Sequence, residues 1–277
     1  MECIAEDKKG NIWFGTDKGV YILDKSDYSV HPMDRERLKN IPVMYLYATS
    51  DGYMWLSYRS ILAKYDINGQ LVKEYPLRNK YGRTTISGFC ESRNHEIIIS
   101  VWNGRVYHLD KEKDEFVPYP DKMRRQNPTV MVQDNEQDYF WLATWGDGVV
   151  RFDPSAPEDS MFVYSEIPVN AAGEEDGVIL SLVQDDKLGY IWLTTGHDFM
   201  SLQIQPDKTL KQLKFQTGLL PVNHMLVEVL KGRGCLWVSA FDRPSFIVHL
   251  MDNMTKDYAL PALADRVNRS PAVMAFV

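Results

Sequence analysis

Gly10-Asn11-Ile12-Trp13-Phe14-Gly15-Thr16, followed by Gly19-Val20-Tyr21-Ile22-Leu23-Asp24, is the stretch that decides the fold, because it returns along the chain. A later copy reads Tyr139-Phe140-Trp141-Leu142-Ala143-Thr144, then Gly148-Val149-Val150-Arg151-Phe152-Asp153. Trp13, Trp55, Trp141, Trp192 and Trp237 mark five copies. Ile97 takes the tryptophan place in the third, ahead of Ile98-Ile99-Ser100 and Gly104-Arg105-Val106-Tyr107-His108-Leu109-Asp110. The steps between these six positions are 42, 42, 44, 51 and 45 residues. A period in this range means one supersecondary unit that recurs and stacks on its neighbours.

The second copy shows what the unit contains. Its apolar or alternating runs are Val43–Ala48, Tyr53–Tyr58, Ile61–Tyr65 and Leu71–Tyr75. Ser50-Asp51-Gly52, Arg59-Ser60 and Asp66-Ile67-Asn68-Gly69 separate them. Short runs rich in Val, Ile, Tyr and Trp, bounded by turn residues, read as strands joined by hairpins. No sustained 3.6-residue apolar stripe is present, so little helix is expected. Four antiparallel strands per unit make the blade of a β-propeller. The reading is an all-β propeller with six repeats and the first strand of a seventh. The blades span approximately residues 1–40, 41–80, 81–125, 126–168, 169–219 and 220–265, with an extra strand at 271–277. That last stretch, Pro271-Ala272-Val273-Met274-Ala275-Phe276-Val277, resembles Pro42-Val43-Met44-Tyr45-Leu46-Tyr47. The sequence therefore reads as one propeller cut from a longer protein.

A large ring on the second strand of a blade is expected to fill the wedge between two twisted sheets. The repeated tryptophans are thus read as core. Asp24, Asp66, Asp110 and Asp153 close the third strand in four copies. Each is expected to cap its turn through its own backbone.

Composition fits a globular body, with 44% hydrophobic and 25% charged residues among 277. The net charge of −7 and the lack of a long basic run argue against a nucleic-acid partner. Lys122-Met123-Arg124-Arg125 reads as a short solvated loop between repeats three and four. No apolar stretch of about 20 residues is present to cross a membrane. Cys3, Cys90 and Cys235 give no even disulfide framework and are expected as small buried thiols.

The unit from Cys3 through Trp13 to Asp24 resembles the two-component regulator propeller repeat. The resemblance extends over essentially the whole chain. Copies five and six depart from it at Phe199-Met200-Ser201 and Pro244-Ser245-Phe246. That repeat builds the periplasmic sensor region of hybrid histidine kinases in Bacteroides-type gut bacteria. The resemblance implies two consecutive propellers, an immunoglobulin-like stalk, a membrane helix and cytoplasmic kinase and regulator modules. It also implies oligosaccharide ligands, a second propeller and stalk as partners, and a possible homodimer.

In a propeller the loops between strands two and three share a face with those joining blades, and function is usually grafted there. The repeat register puts Arg59, Trp102, Asn103, Trp145, Asp147, His197, Asp198 and Arg243 in the first set of loops. Tyr58 and Phe241 stand at strand ends beside them, and Arg83 lies in a loop between blades. Trp102 and Trp145 fall outside the blade-core register. Indole faces pack on sugar C–H groups, while Asn103 and Asp147 suit hydroxyls. Arg59, Arg83 and Arg243 suit a carboxylate or sulfate. These residues are the expected ligand site, and no cofactor or metal is expected. Two other readings stay open: a scaffold that binds protein, and a lyase using His197, His224 or Glu174-Glu175-Asp176 as acid and base.

Overall fold

The structure is a computed structural model that describes residues 3–79, 82–120, 122–124, 127–170, 173–185, 189–195, 198–212, 226–232, 235–240, 246–251 and 254–258. The extra strand expected at 271–277 lies outside them. The chain divides into two compact units, Met1–Asp121 and Lys122–Val277.

Each unit is made of four-stranded antiparallel propeller blades whose strands follow one another in chain order. The first unit holds three. Sheet one comprises Cys3–Glu6, Ile12–Thr16, Gly19–Leu23 and Val30–Met33. Sheet two comprises Val43–Ala48, Met54–Tyr58, Ile61–Tyr65 and Leu71–Pro76. Sheet three comprises Ile86–Glu91, Ile97–Val101, Val106–Asp110 and Glu115–Pro118. One helical turn, Arg35–Leu38, links sheets one and two.

The second unit repeats the plan. Sheet four runs through Pro128–Gln133, Phe140–Thr144, Val149–Phe152 and Phe162–Tyr164. Sheet five runs through Ile179–Gln184, Tyr190–Thr195, Phe199–Ile204 and Leu210–Gln212. Sheet six runs through Leu226–Gly232, Cys235–Ala240, Phe246–Met251 and Met254–Tyr258.

The tryptophans fill the space between consecutive sheets. Trp13 packs against Val43, Leu46, Met54 and Leu56 of sheet two. Trp55 packs against Phe89 of sheet three, with ring centroids 5.6 Å apart. Trp141 meets Ile179, Leu182 and Leu193 of sheet five. Burying rings this large supplies about 3–5 kcal/mol each by the measure of ring deletion. Trp237 departs from the expectation, at 43% exposed. Trp13, Trp55 and Trp141 are each covered by the sheet that follows, and the chain after Tyr258 lies outside the described residues.

The third copy needs a correction. Trp13 pairs with Ala5 and Ile22, two residues before Asp24. The matching place in sheet three, paired with Cys90 and with His108, two residues before Asp110, belongs to Ile98 rather than Ile97. Ile98 has no exposed surface. The steps Trp55 to Ile98 and Ile98 to Trp141 then both become 43 residues.

Two sets of aspartates hold the turns. Asp24, Asp66, Asp110 and Asp153 each accept a backbone N–H two residues on, at 2.8 to 3.0 Å. The second set was not anticipated. Asp7 Oδ2 accepts the indole N–H of Trp13, and Asp134 Oδ2 that of Trp141, both at 2.9 Å. Asp7 also takes the backbone N–H groups of Lys9 and Asn11, and Asp134 those of Glu136 and Gln137. One carboxylate thus satisfies both a buried ring nitrogen and the first hairpin. Sheet two has Thr49 at this place, and among the described residues the Trp55 indole nitrogen has no hydrogen-bond partner.

The inner strands of sheets two to six share another feature. Register shifts fall near their starts, at Val43/Tyr45, Ile86/Gly88, Pro128/Val130, Ile179/Ser181 and Leu226/Glu228. Such bulges bend a strand and re-aim the residues beside it. They sit where the chain enters each blade, next to the loops described below.

Candidate functional site

The hairpins between strands two and three are built on threonine. Thr144 Oγ1 donates to the Gly148 carbonyl at 2.8 Å and accepts the Asp147 N–H at 3.0 Å. Thr16 makes the same pair of contacts with Gly19 and Lys18. Thr195 Oγ1 accepts the Asp198 N–H at 2.8 Å and donates to Asp176 Oδ2 at 2.5 Å. In sheets two and three the loops are tighter. Arg59 and Asn103 take positive φ, 56° and 51°, to close them.

The segment leading into a blade lies alongside that blade's hairpin. The Trp102 N–H donates to the Thr85 carbonyl at 3.0 Å, and Thr84 Oγ1 donates to the Trp102 carbonyl. Trp145 is held the same way by one residue. Its N–H donates to the Asn127 carbonyl at 3.0 Å, and Asn127 Nδ2 donates back to its carbonyl. Gly146 and Gly148 donate to the Gly177 carbonyl at 2.8 and 3.1 Å, which ties this hairpin to the lead-in of sheet five. A Cβ on Gly177 would lie 2.5 Å from the Gly146 carbonyl oxygen, so only glycine fits.

The expected ligand residues fall into three groups. Trp145 presents a half-exposed indole, at 48%, from a backbone clamped on both sides. Arg59 and Asn103 are exposed, and Trp102 is half-buried. Asp147 and Asp198 are buried at 9% and 8% exposure, and their hairpins hold them by the threonine contacts. Tyr58 is 3% exposed and belongs to the core around Trp13; its hydroxyl donates to Glu74. Burial pushes that hydroxyl's pKa up, and the Glu74 contact adds to the rise. His197, Phe241 and Arg243 lie outside the described residues, as does His224. Arg83 is placed as the end of the short strand Gly82–Arg83.

Arg124, which the sequence reading placed in a solvated loop, and Tyr164, which it passed over, meet at the end of sheet four that carries the Trp145 hairpin. The outer strand of sheet four ends at Tyr164, which pairs with Val150, two residues past the hairpin. The Arg124 guanidinium carbon lies 4.2 Å from the Tyr164 ring centroid. The Arg124 backbone N–H donates to the Tyr164 hydroxyl at 2.5 Å. Burial raises the pKa of that hydroxyl; the Arg124 amide and guanidinium oppose the rise and the charge of Asp147 adds to it. The recurring Thr at the end of strand two was a signal for the hairpins. No repeat marks Arg124, because it lies in a linker.

Four-stranded blades of this kind define a β-propeller, and the comparisons with known proteins agree on the fold. The two component regulator propeller family model matches residues 1–18. No curated protein sequence matches the chain. Among solved structures, the chain is similar to the extracellular domain of the hybrid two component system BT4673 from B. thetaiotaomicron. The identity is 15% and the TM-score 0.69, over 93% of this chain and 36% of that one. It is also similar to virginiamycin B lyase from Staphylococcus aureus, solved as an inactive variant with quinupristin. There the identity is 18% and the TM-score 0.70, over 93% and 83% of the two chains. PorZ of Porphyromonas gingivalis, a surface component of the type-IX secretion system, gives 10% and 0.69, over 93% and 41%. At these identities the likeness is one of fold. The chain spans little over a third of the BT4673 domain. Among the described residues, no helix is long and apolar enough to cross a membrane.

Proposed function

We propose that this chain is the periplasmic, ligand-sensing propeller of a hybrid two-component sensor kinase, and that it recognises oligosaccharides released from glycans. The two component regulator propeller match at residues 1–18 carries the reading. The similarity in fold to an extracellular two-component sensor domain supports it. The half-exposed Trp145 indole on a rigid hairpin supplies a surface suited to a sugar ring. In this reading the chain works with a second propeller and stalk of the same receptor, in a homodimer. Ligand binding shifts the population between two receptor states, which requires contacts that differ between them. The membrane-anchored kinase reads that shift.

The chain itself performs no catalysis in this reading. Incubation with oligosaccharides or with a cyclic depsipeptide, followed by mass spectrometry, is expected to return the ligand unchanged. Turnover would favour the lyase alternative. Binding to protein baits with none to glycans would favour the scaffold.

A further inference from the structure

We propose that Arg124, stacked on Tyr164, forms an anion-recognition subsite beside Trp145, so that the ligand carries a carboxylate or a sulfate. The inference rests on the oligosaccharide reading above and names the chemical class of sugar.

Three observations carry it. First, Arg124 is held in place before any ligand arrives. Its guanidinium lies 4.2 Å from the Tyr164 ring, and its backbone N–H is bonded to the same residue's hydroxyl. A guanidinium held over a ring face offers N–H donors in the fork that matches carboxylate and sulfate oxygens. A cation ordered in advance gives up little freedom on binding. Second, Arg124 is exposed, and among the described residues no carboxylate pairs with it. Its neighbour Lys122, two residues earlier, is instead engaged by Asp159 at 3.1 Å. Asp147, the acid that acts on Tyr164, is buried.

Third, Arg124 and Trp145 flank one short piece of structure. Asn127, three residues after Arg124, clamps the Trp145 backbone in both directions. On the other side, the Ser165 N–H donates to the Val149 carbonyl, closing the strand that carries Tyr164 onto the end of the hairpin. An indole face for the C–H surface of a sugar and a forked cation for its acid group are therefore both carried at the hairpin end of sheet four. The linker Lys122–Arg124 is read here as part of a site rather than as a solvated loop.

Isothermal titration of the whole chain with matched trisaccharides tests this. The panel pairs galacturonate and glucuronate oligomers with their neutral methyl esters, and adds sulfated galactose oligomers. At least one anionic oligomer is expected to bind roughly tenfold or more tightly than its neutral counterpart, the scale of a charge-assisted pair. The preferred arm, acid or sulfate, names the group. Arg124→Gln is expected to lower that binding to the neutral level and leave neutral binding unchanged. Arg124→Lys is expected to restore it only in part. Equal binding of acid and ester, or anion preference that survives Arg124→Gln, would overturn the anion subsite while the oligosaccharide reading stands. No binding by any member of the panel would overturn both.

Discussion

The indole nitrogen of Trp13 and the carboxylate of Asp7 show how much of the blade is decided by single contacts. That carboxylate also ties the first hairpin, so its removal leaves a buried N–H and two backbone donors without an acceptor. Asp134→Ala in sheet four is expected to destabilise by about 2–3 kcal/mol, read from urea unfolding. Sheet two offers the converse. Thr49→Asp would place a carboxylate within the turn that precedes Trp55, whose indole N–H lacks a partner. A gain of about 1 kcal/mol is expected, and a loss would show that the Asp–Trp lock does not transfer between blades. The tryptophans themselves differ. Trp141→Ala is expected to destabilise by about 3–5 kcal/mol, while Trp237→Ala, at a ring with 43% exposure, should fall well short of that. The recurring aspartates after strand three were legible because each precedes its turn at a constant spacing. The Asp–Trp lock was not, since the partners stand six residues apart in one copy and seven in another.

Strand boundaries were the most legible element. The runs Val43–Ala48 and Ile61–Tyr65 match the strands residue for residue, because alternation and turn residues agree there. The misplaced Ile97 has a physical cause. Ile97–Val101 is buried along its whole length, so the period-two signal that sets register vanishes, and no ring marks the place. The bulges at the strand starts and the helical turn Arg35–Leu38 left no mark in a reading of strands. They depend on how the chain enters a blade rather than on its apolar pattern. Of the candidate site, the hairpins and the Trp145 indole were legible, while Arg124 and Tyr164 meet only through the fold.

Links between elements give a pH prediction. Glu91, at the end of an inner strand in sheet three, accepts from the Ser50 N–H at 2.6 Å and from the Ser50 hydroxyl, and His95 Nδ1 lies 2.9 Å away. Burial tends to raise the pKa of its carboxyl, but the Ser50 and His95 contacts outweigh it and hold it below 4.5. A carboxyl with a depressed folded pKa contributes stability above its unfolded value, and loses it as pH falls through the folded one. Glu91→Gln should therefore destabilise at neutral pH. The gap to the native protein should close progressively in urea unfolding as the pH drops below about 4.5. A gap constant with pH would remove the charge from this account.

At the scale of the molecule, a repeat that buries a large side chain such as Trp13, Trp55 or Trp141 makes each of these sheets a firm support, and the hairpins it carries are free to vary. Sheets one, two and four hand their rings to the next sheet, and the loops at the lead-in end hold the candidate ligand residues. This division predicts that stability and ligand binding separate under mutation. The most direct test is a thermal-shift titration of the native chain and of Trp145→Ala against neutral and acidic oligosaccharides. A ligand that binds the folded state alone raises the melting temperature as its concentration rises. A concentration-dependent rise is expected for the native chain. Trp145→Ala is expected to melt with the native protein in the absence of ligand and to show little or no rise. A variant that melts early would make Trp145 a core residue, and a rise undiminished by the substitution, or absent from the native chain, would contradict a glycan-sensing hairpin.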